Sequence, residues 1–89
     1  MDLSQLRTEI DAVDTQLIEL LTRRMEISRG IGEYKLANGL PVLDPDREVV
    51  KLRSVGEKCR PETREYIVRL FEDIMRESRN YQADISEKK

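Results

Sequence analysis

The 89-residue sequence predicts an all-α chain of three helices, and three observations carry that reading. Leu3, Leu6, Ile10, Val13, Leu17, Leu20, Arg24, Ile27, Ile31 and Tyr34 follow one another at spacings alternating between three and four. That is the a/d seam a long helix buries against partner helices. No run alternates apolar and polar residues as a half-buried strand does. The prolines, Pro41, Pro45 and Pro61, fall between the periodic segments, where they delimit helices.

The first helix is expected from about Leu3 to Ala37, with Asn38-Gly39 as its C-terminal stop. Thirty-five residues at 1.5 Å each give a rod of roughly 52 Å. A compact chain of this length has a radius of gyration of only about 12 Å. The helix therefore overhangs its own globule, and its seam needs a second chain. Residues 38 to 43 (NGLPVL) form a short turn, and Asp44-Pro45 reads as an N-cap followed by proline at the first helical position. The second helix runs to about Cys59. Pro61 opens the third, which runs to about residue 84 with Ile67, Leu70, Phe71, Ile74 and Met75 as its apolar face. The tail over 85–89 is expected to fray. The whole, 1–89, makes one domain. Gly30 and Gly32 lack a preceding strand and a third glycine, so they suggest close helix packing or bending rather than a phosphate loop.

Composition removes several function classes. The net charge is −2, with acids and bases interspersed, which argues against nucleic acid as a partner. No stretch approaches the roughly 18 apolar residues of a membrane span, and the N-terminus lacks the basic and apolar regions of a signal peptide. One cysteine, Cys59, excludes an intrachain disulfide and a cysteine-based metal cluster. These features point to the cytoplasm. There is no histidine, so Ser-His-Asp, Cys-His and histidine-metal sites are excluded. Any chemistry here needs little proton shuttling.

What remains is a set of polar residues on apolar faces. Arg24 occupies a seam position, and a guanidinium there must meet a protein carboxylate or a bound anion. Ser28 lies one turn on. Lys35, eleven residues on, returns to within roughly 20° of Arg24's direction, with Ile31 between them. Lys35 could also simply complement the helix dipole. Arg7 is the only base among the first 22 residues, which carry five acids. It could pair with Asp11 at i+4. It lies about 25 Å along the axis from Arg24, too far to share a site within one chain. In an antiparallel pair of first helices centred near Ile18, it instead comes level with residue 29 of a second copy, beside the Arg24/Lys35 strip. On the second helix, Glu48 leads the stripe Leu52, Val55, Cys59, with Asp44 and Arg47 beside it at the helix start. Capping accounts for Asp44, and favourable N-terminal charge is one account of Glu48. On the third, Ser78 and Gln82 extend the line of Ile67, Phe71 and Ile74. Several cations and a few hydrogen-bonding groups inside a bundle suit a small, multiply anionic molecule carrying a hydroxyl.

The segments LRTEIDAVDTQLIELLTRR, IGEYK, PVLDPDRE and YIVRLF, with the later Ser78 and Gln82, resemble the all-helical (AroQ-class) chorismate mutases from about Leu3 to Gln82. That resemblance implies an intertwined antiparallel homodimer with two sites. It also implies conversion of chorismate to prephenate by a [3,3] rearrangement, with neither cofactor nor metal. Arg7 of the partner subunit and Arg24 would grip the two carboxylates. Lys35 and Gln82 would meet the ether oxygen, with Lys35 also touching a carboxylate. Glu48 and the Asp44 region would bind the ring hydroxyl with Arg47 nearby, Ser78 would assist at the ring carboxylate, and Ile31 would wall the pocket. Two alternatives stay open: a related helical lyase that removes pyruvate from isochorismate, and a helical dimerisation or regulatory module without a substrate.

Overall fold

Three helices, α1 (Leu3–Ala37), α2 (Pro45–Lys58) and α3 (Arg64–Glu87), make up the computed structural model, which describes residues 2–87. Local chemistry sets their ends. Asp2 Oδ1 accepts from the Gln5 backbone N–H at 2.8 Å, and Gln5 Oε1 accepts from the Asp2 N–H at 3.0 Å. This capping box satisfies two donors that a helix start leaves free. At the other end Gly39 adopts φ +65°, a conformation open to glycine without a Cβ penalty. Leu40 N–H then donates to Lys35 O at 2.8 Å and Gly39 N–H to Leu36 O at 3.4 Å, the pair of bonds of a Schellman stop. For α2, Asp44 Oδ1 accepts from Arg47 N–H at 3.1 Å ahead of Pro45 at the first position.

The third helix departs from expectation at both ends. It begins at Arg64 rather than Pro61. Cys59 is extended, so Pro61–Thr63 form a turn in which Thr63 N–H and Arg64 N–H both reach Arg60 O. The Arg64 guanidinium caps the preceding helix, donating to Gly56 O at 2.7 Å and Cys59 O at 3.1 Å. At the far end the expected fraying from residue 85 is corrected. The helix continues to Glu87 because Ile85 is buried on the line Met75, Ser78, Gln82. Ser86 Oγ also donates back to Gln82 O at 3.2 Å. Residues 88 and 89 lie outside the described residues. Leu70 is a third correction: it is exposed, since it points about 90° around the helix from that buried line.

Helix α3 is the common partner, packing against α1 on one side and α2 on the other, while α1 and α2 do not approach each other. The chain is consequently long and thin, 54 × 27 × 14 Å, with a radius of gyration of 16.1 Å. Every residue of α1 from Leu3 to Leu20 is exposed. The part of α1 that does pack, Leu21, Met25, Ser28 and Gly32, is rotated from the heptad seam by roughly 80°. The seam thus lies to one side of the chain's own core. Of the two glycines, only Gly32 serves close packing: a Cβ there would lie 2.9 Å from Gln82 Cγ, whereas one on Gly30 would meet nothing within 4 Å.

Candidate functional site

A cavity of about 240 Å³ opens where the second half of α1 crosses α3 and faces the start of α2. Helix α1 contributes Arg24, Ser28, Ile31 and Lys35, one strip because these residues recur every three to four positions. The α1–α2 turn adds Val42 and Asp44. The first turns of α2 add Arg47, Glu48 and Lys51, and α3 adds Met75, Ser78 and Gln82.

Hydrogen bonds fix much of this lining. Arg24 Nη1 donates to Ser78 Oγ at 2.7 Å, so the seam arginine meets a hydroxyl rather than a carboxylate. Its charge remains uncompensated by that contact. Lys35 Nζ donates to Val42 O at 2.7 Å, tying the end of α1 to the turn that carries Asp44. Gln82 Nε2 donates to Ser28 Oγ at 3.0 Å, and Ser28 Oγ donates to Ser78 O at 3.4 Å. Ser28, Ser78 and Gln82 are the buried polar residues, and Gln82 is only 6% exposed. Its Oε1 is buried with no hydrogen-bond partner among the described residues. An orphaned buried acceptor costs about 1–3 kcal/mol. Folding alone gives no return for that cost.

On α2, Glu48 is held from behind. Arg79 Nη1 donates to both of its carboxylate oxygens, at 2.5 and 2.6 Å. Asp44 is likewise engaged as the helix cap. The lining holds four cations (Arg24, Lys35, Arg47, Lys51) and two carboxylates (Asp44, Glu48), a formal excess of two positive charges. With Glu48 already matched by Arg79, the balance favours a small ligand bearing more than one negative charge.

Seven sequence-predicted residues, Arg24, Lys35, Asp44, Arg47, Glu48, Ser78 and Gln82, line this one cavity. Arg7 does not; it is exposed on the first half of α1 and forms no ion pair among the described residues, with Asp11 or otherwise. Two participants escaped the sequence reading. Lys51 lies one turn beyond Arg47 and Glu48, a spacing that could have flagged it. Arg79 had no such signal, because its pairing with Glu48 depends on how two helices are rotated against each other.

The chain is thus an all-helical domain whose inter-helix cavity carries an excess of cationic side chains. Over residues 6–83 the sequence matches the family described as chorismate mutase type II, and the chain belongs to that family. The "T-protein" of Haemophilus influenzae is 35% identical over 74 residues, covering 83% of this chain and 19% of the relative. The "Bifunctional chorismate mutase/prephenate dehydratase" of Buchnera aphidicola is 38% identical over 80 residues, 86% of this chain and 20% of the relative. The protein of the same name in Escherichia coli is 38% identical over 76 residues, 82% and 19% respectively. The chain thus spans about a fifth of the length of these relatives. No solved structure gives a significant match. Among the described residues, no helix is long and apolar enough to cross a membrane.

Proposed function

We propose that this chain converts chorismate to prephenate, an intramolecular [3,3] rearrangement of aromatic amino-acid biosynthesis, as an antiparallel homodimer in the cytoplasm. The observation that carries the reading is the cavity itself. Four cations and a buried glutamine with an orphaned acceptor converge there, in a chain of the chorismate mutase type II family. In this rearrangement an ether C–O bond breaks while a C–C bond forms within the same molecule. No proton or electron leaves, so a chain without histidine is equipped for it. The requirements are to hold the dianion in its compact, near-attack conformer and to stabilise the ether oxygen as it gains negative charge.

Arg24 and Arg7 of the partner subunit grip the two carboxylates, and Ser78 assists at the ring carboxylate. Lys35 and the Gln82 amide address the ether oxygen. Glu48, oriented by Arg79, accepts from the ring hydroxyl with Asp44 and Arg47 beside it. The trans contribution of Arg7 is supported by its exposure, and by an exposed apolar seam running the length of α1.

The test is a direct assay: loss of chorismate absorbance, with acid-released phenylpyruvate as product signal, run beside a separate incubation with isochorismate. Conversion of chorismate is the expected result. Pyruvate released from isochorismate alone would replace the reading by the lyase. Turnover of neither, with no rise in melting temperature on adding a bicyclic dicarboxylate transition-state mimic, would leave a helical dimerisation module.

A further inference from the structure

We propose that Ser28 is a positioning residue that sets the orientation of the Gln82 amide, an assignment that rests on the mutase reading above. Ser28 sits on the buried face of α1, only 4% exposed, so water does not serve its hydroxyl. Its two partners are both on α3: it accepts from Gln82 Nε2 at 3.0 Å and donates to Ser78 O at 3.4 Å. The second of these is long, hence weak and readily given up.

The amide it touches is in an unfavourable state. Gln82 borders the cavity, yet its Oε1 has no partner among the described residues. Gly32 lies against the same side chain so closely that a Cβ would come within 2.9 Å of Gln82 Cγ and 3.1 Å of its Cβ. The stem of Gln82 is therefore confined, and the freedom left to the side chain is rotation of its terminal amide. Amide oxygen and nitrogen fill almost the same space, so a half-turn exchanges them without repacking.

A hydroxyl is both donor and acceptor, which makes Ser28 able to serve either orientation. In this structure it accepts from Nε2. When an electron-rich ether oxygen enters the cavity, the half-turn lets Ser28 donate to Oε1 instead. The acceptor is then satisfied, and the NH₂ group takes the place that Oε1 held, with its hydrogens free to meet the ligand. Ser28 gives up only the long bond to Ser78 O. Alanine at position 28 would leave the amide without a partner in either orientation, so nothing would hold the donor toward the substrate.

The experiment is a double-mutant cycle on Ser28→Ala and Gln82→Ala, read as kcat on chorismate and as calorimetric Kd for a bicyclic dicarboxylate transition-state mimic. Melting temperature is recorded for each variant. Ser28→Ala alone is expected to lower kcat and weaken mimic binding by roughly 3- to 10-fold, the scale of one neutral hydrogen bond. KM for chorismate should change far less. In the Gln82→Ala background the same substitution should weaken mimic binding no further, because its effect passes through the amide. An equal loss in both backgrounds would overturn the assignment. So would a fall in melting temperature with kcat and Kd unchanged, leaving Ser28 as a helix-packing residue. Wild-type protein that neither converts chorismate nor binds the mimic would overturn the mutase reading and this assignment with it. An active wild type with an unimpaired Ser28→Ala would overturn only the latter.

Discussion

Removing the Arg79 guanidinium tests whether the cavity is braced from outside. Arg79 Nη1 donates to both oxygens of Glu48 at 2.5 and 2.6 Å, and the two side chains are 31% and 25% exposed. An exposed ion pair contributes about 0–1 kcal/mol, whereas breaking a fully buried one costs about 3–5 kcal/mol. Partial solvent screening places Arg79→Ala between these, near 1–2 kcal/mol. For a domain of this size each kcal/mol moves Tm by roughly 4–8 °C, so a fall of about 5–15 °C is expected. Thermal unfolding by circular dichroism, at matched protein concentration, measures it. Raising the salt to about 1 M should shrink the gap between variant and wild type, because the pair is partly open to ions. Function should shift too. A Glu48 released from Arg79 is drawn toward the cavity's own cations, so KM should rise several-fold, more than kcat falls. Arg79→Lys keeps the charge but not the planar fork, and should lie between. If Arg79→Ala melted within about 1 °C of wild type with KM unchanged, the brace would be an incidental surface contact.

Leu17→Glu sets a charge in the middle of the exposed seam and should abolish association and activity together; a folded, active monomer of 10.4 kDa in equilibrium sedimentation would defeat the shared-site arrangement. Lys35→Ala should cost on the order of 10²–10³ in kcat, as loss of a preorganised donor to developing charge commonly does. Arg7→Ala should be similarly impaired, yet mixed dimers of the two variants should regain up to half the wild-type activity, and no recovery after verified subunit exchange would count against Arg7 acting in trans. Gln82→Glu preserves shape but, with an ordinary carboxylate pKa near 4.3, sets a negative charge against the ether oxygen at pH 7.5. Its activity should recover as pH falls toward 5 and the carboxyl takes up a proton, and a flat pH–rate profile for the folded dimer would remove Gln82 from the chemistry.

The parts of this fold that could be read in the sequence are those governed by neighbours along the chain. Asn38-Gly39 stops α1 and Asp44-Pro45 starts α2 because a cap needs only the residues within one turn of it. Arg24 stood out because it interrupts an apolar stripe, Glu48, Ser78 and Gln82 because they lead or extend one, and Lys35 because it lines up with Arg24; all of these are local periodic signals. The misread parts depend on tertiary placement. Pro61 suits a helix start, but the extended Cys59 and the Arg64 side chain delay it by three residues. Leu70 carries the right chemistry for the core and the wrong angle. The last turn of α3 looks like a polar tail, yet Ile85 finds a buried place on the Gln82 line. Arg79 and Glu48 are 31 residues apart, and no pattern in either helix announces their meeting.

The distribution of burial also ties stability to the cavity. Seven described residues are buried, and Ser28, Gly32, Ser78 and Gln82 among them form the polar crossing of α1 and α3 beside the cavity. Among the described residues, only Val55, Met75 and Ile85 supply buried apolar side chains. Three such side chains, with half-buried neighbours such as Leu21, Met25, Leu52, Phe71 and Ile74, make a thin apolar core for a chain of this length. Further apolar burial is available along the exposed seam of Leu3, Leu6, Ile10, Val13, Leu17, Leu20, Ile27, Ile31 and Tyr34. Covering that seam with a second α1 adds the apolar area the single chain lacks. In the proposed antiparallel register it would also deliver Arg7 of the partner subunit to the Arg24/Lys35 strip. Under that arrangement, completing the fold and completing the charge of the site would be one event. If, as proposed, the hydrophobic core lies between two copies, a cation-lined cavity at the chain's own helix crossing would cost the assembled protein little.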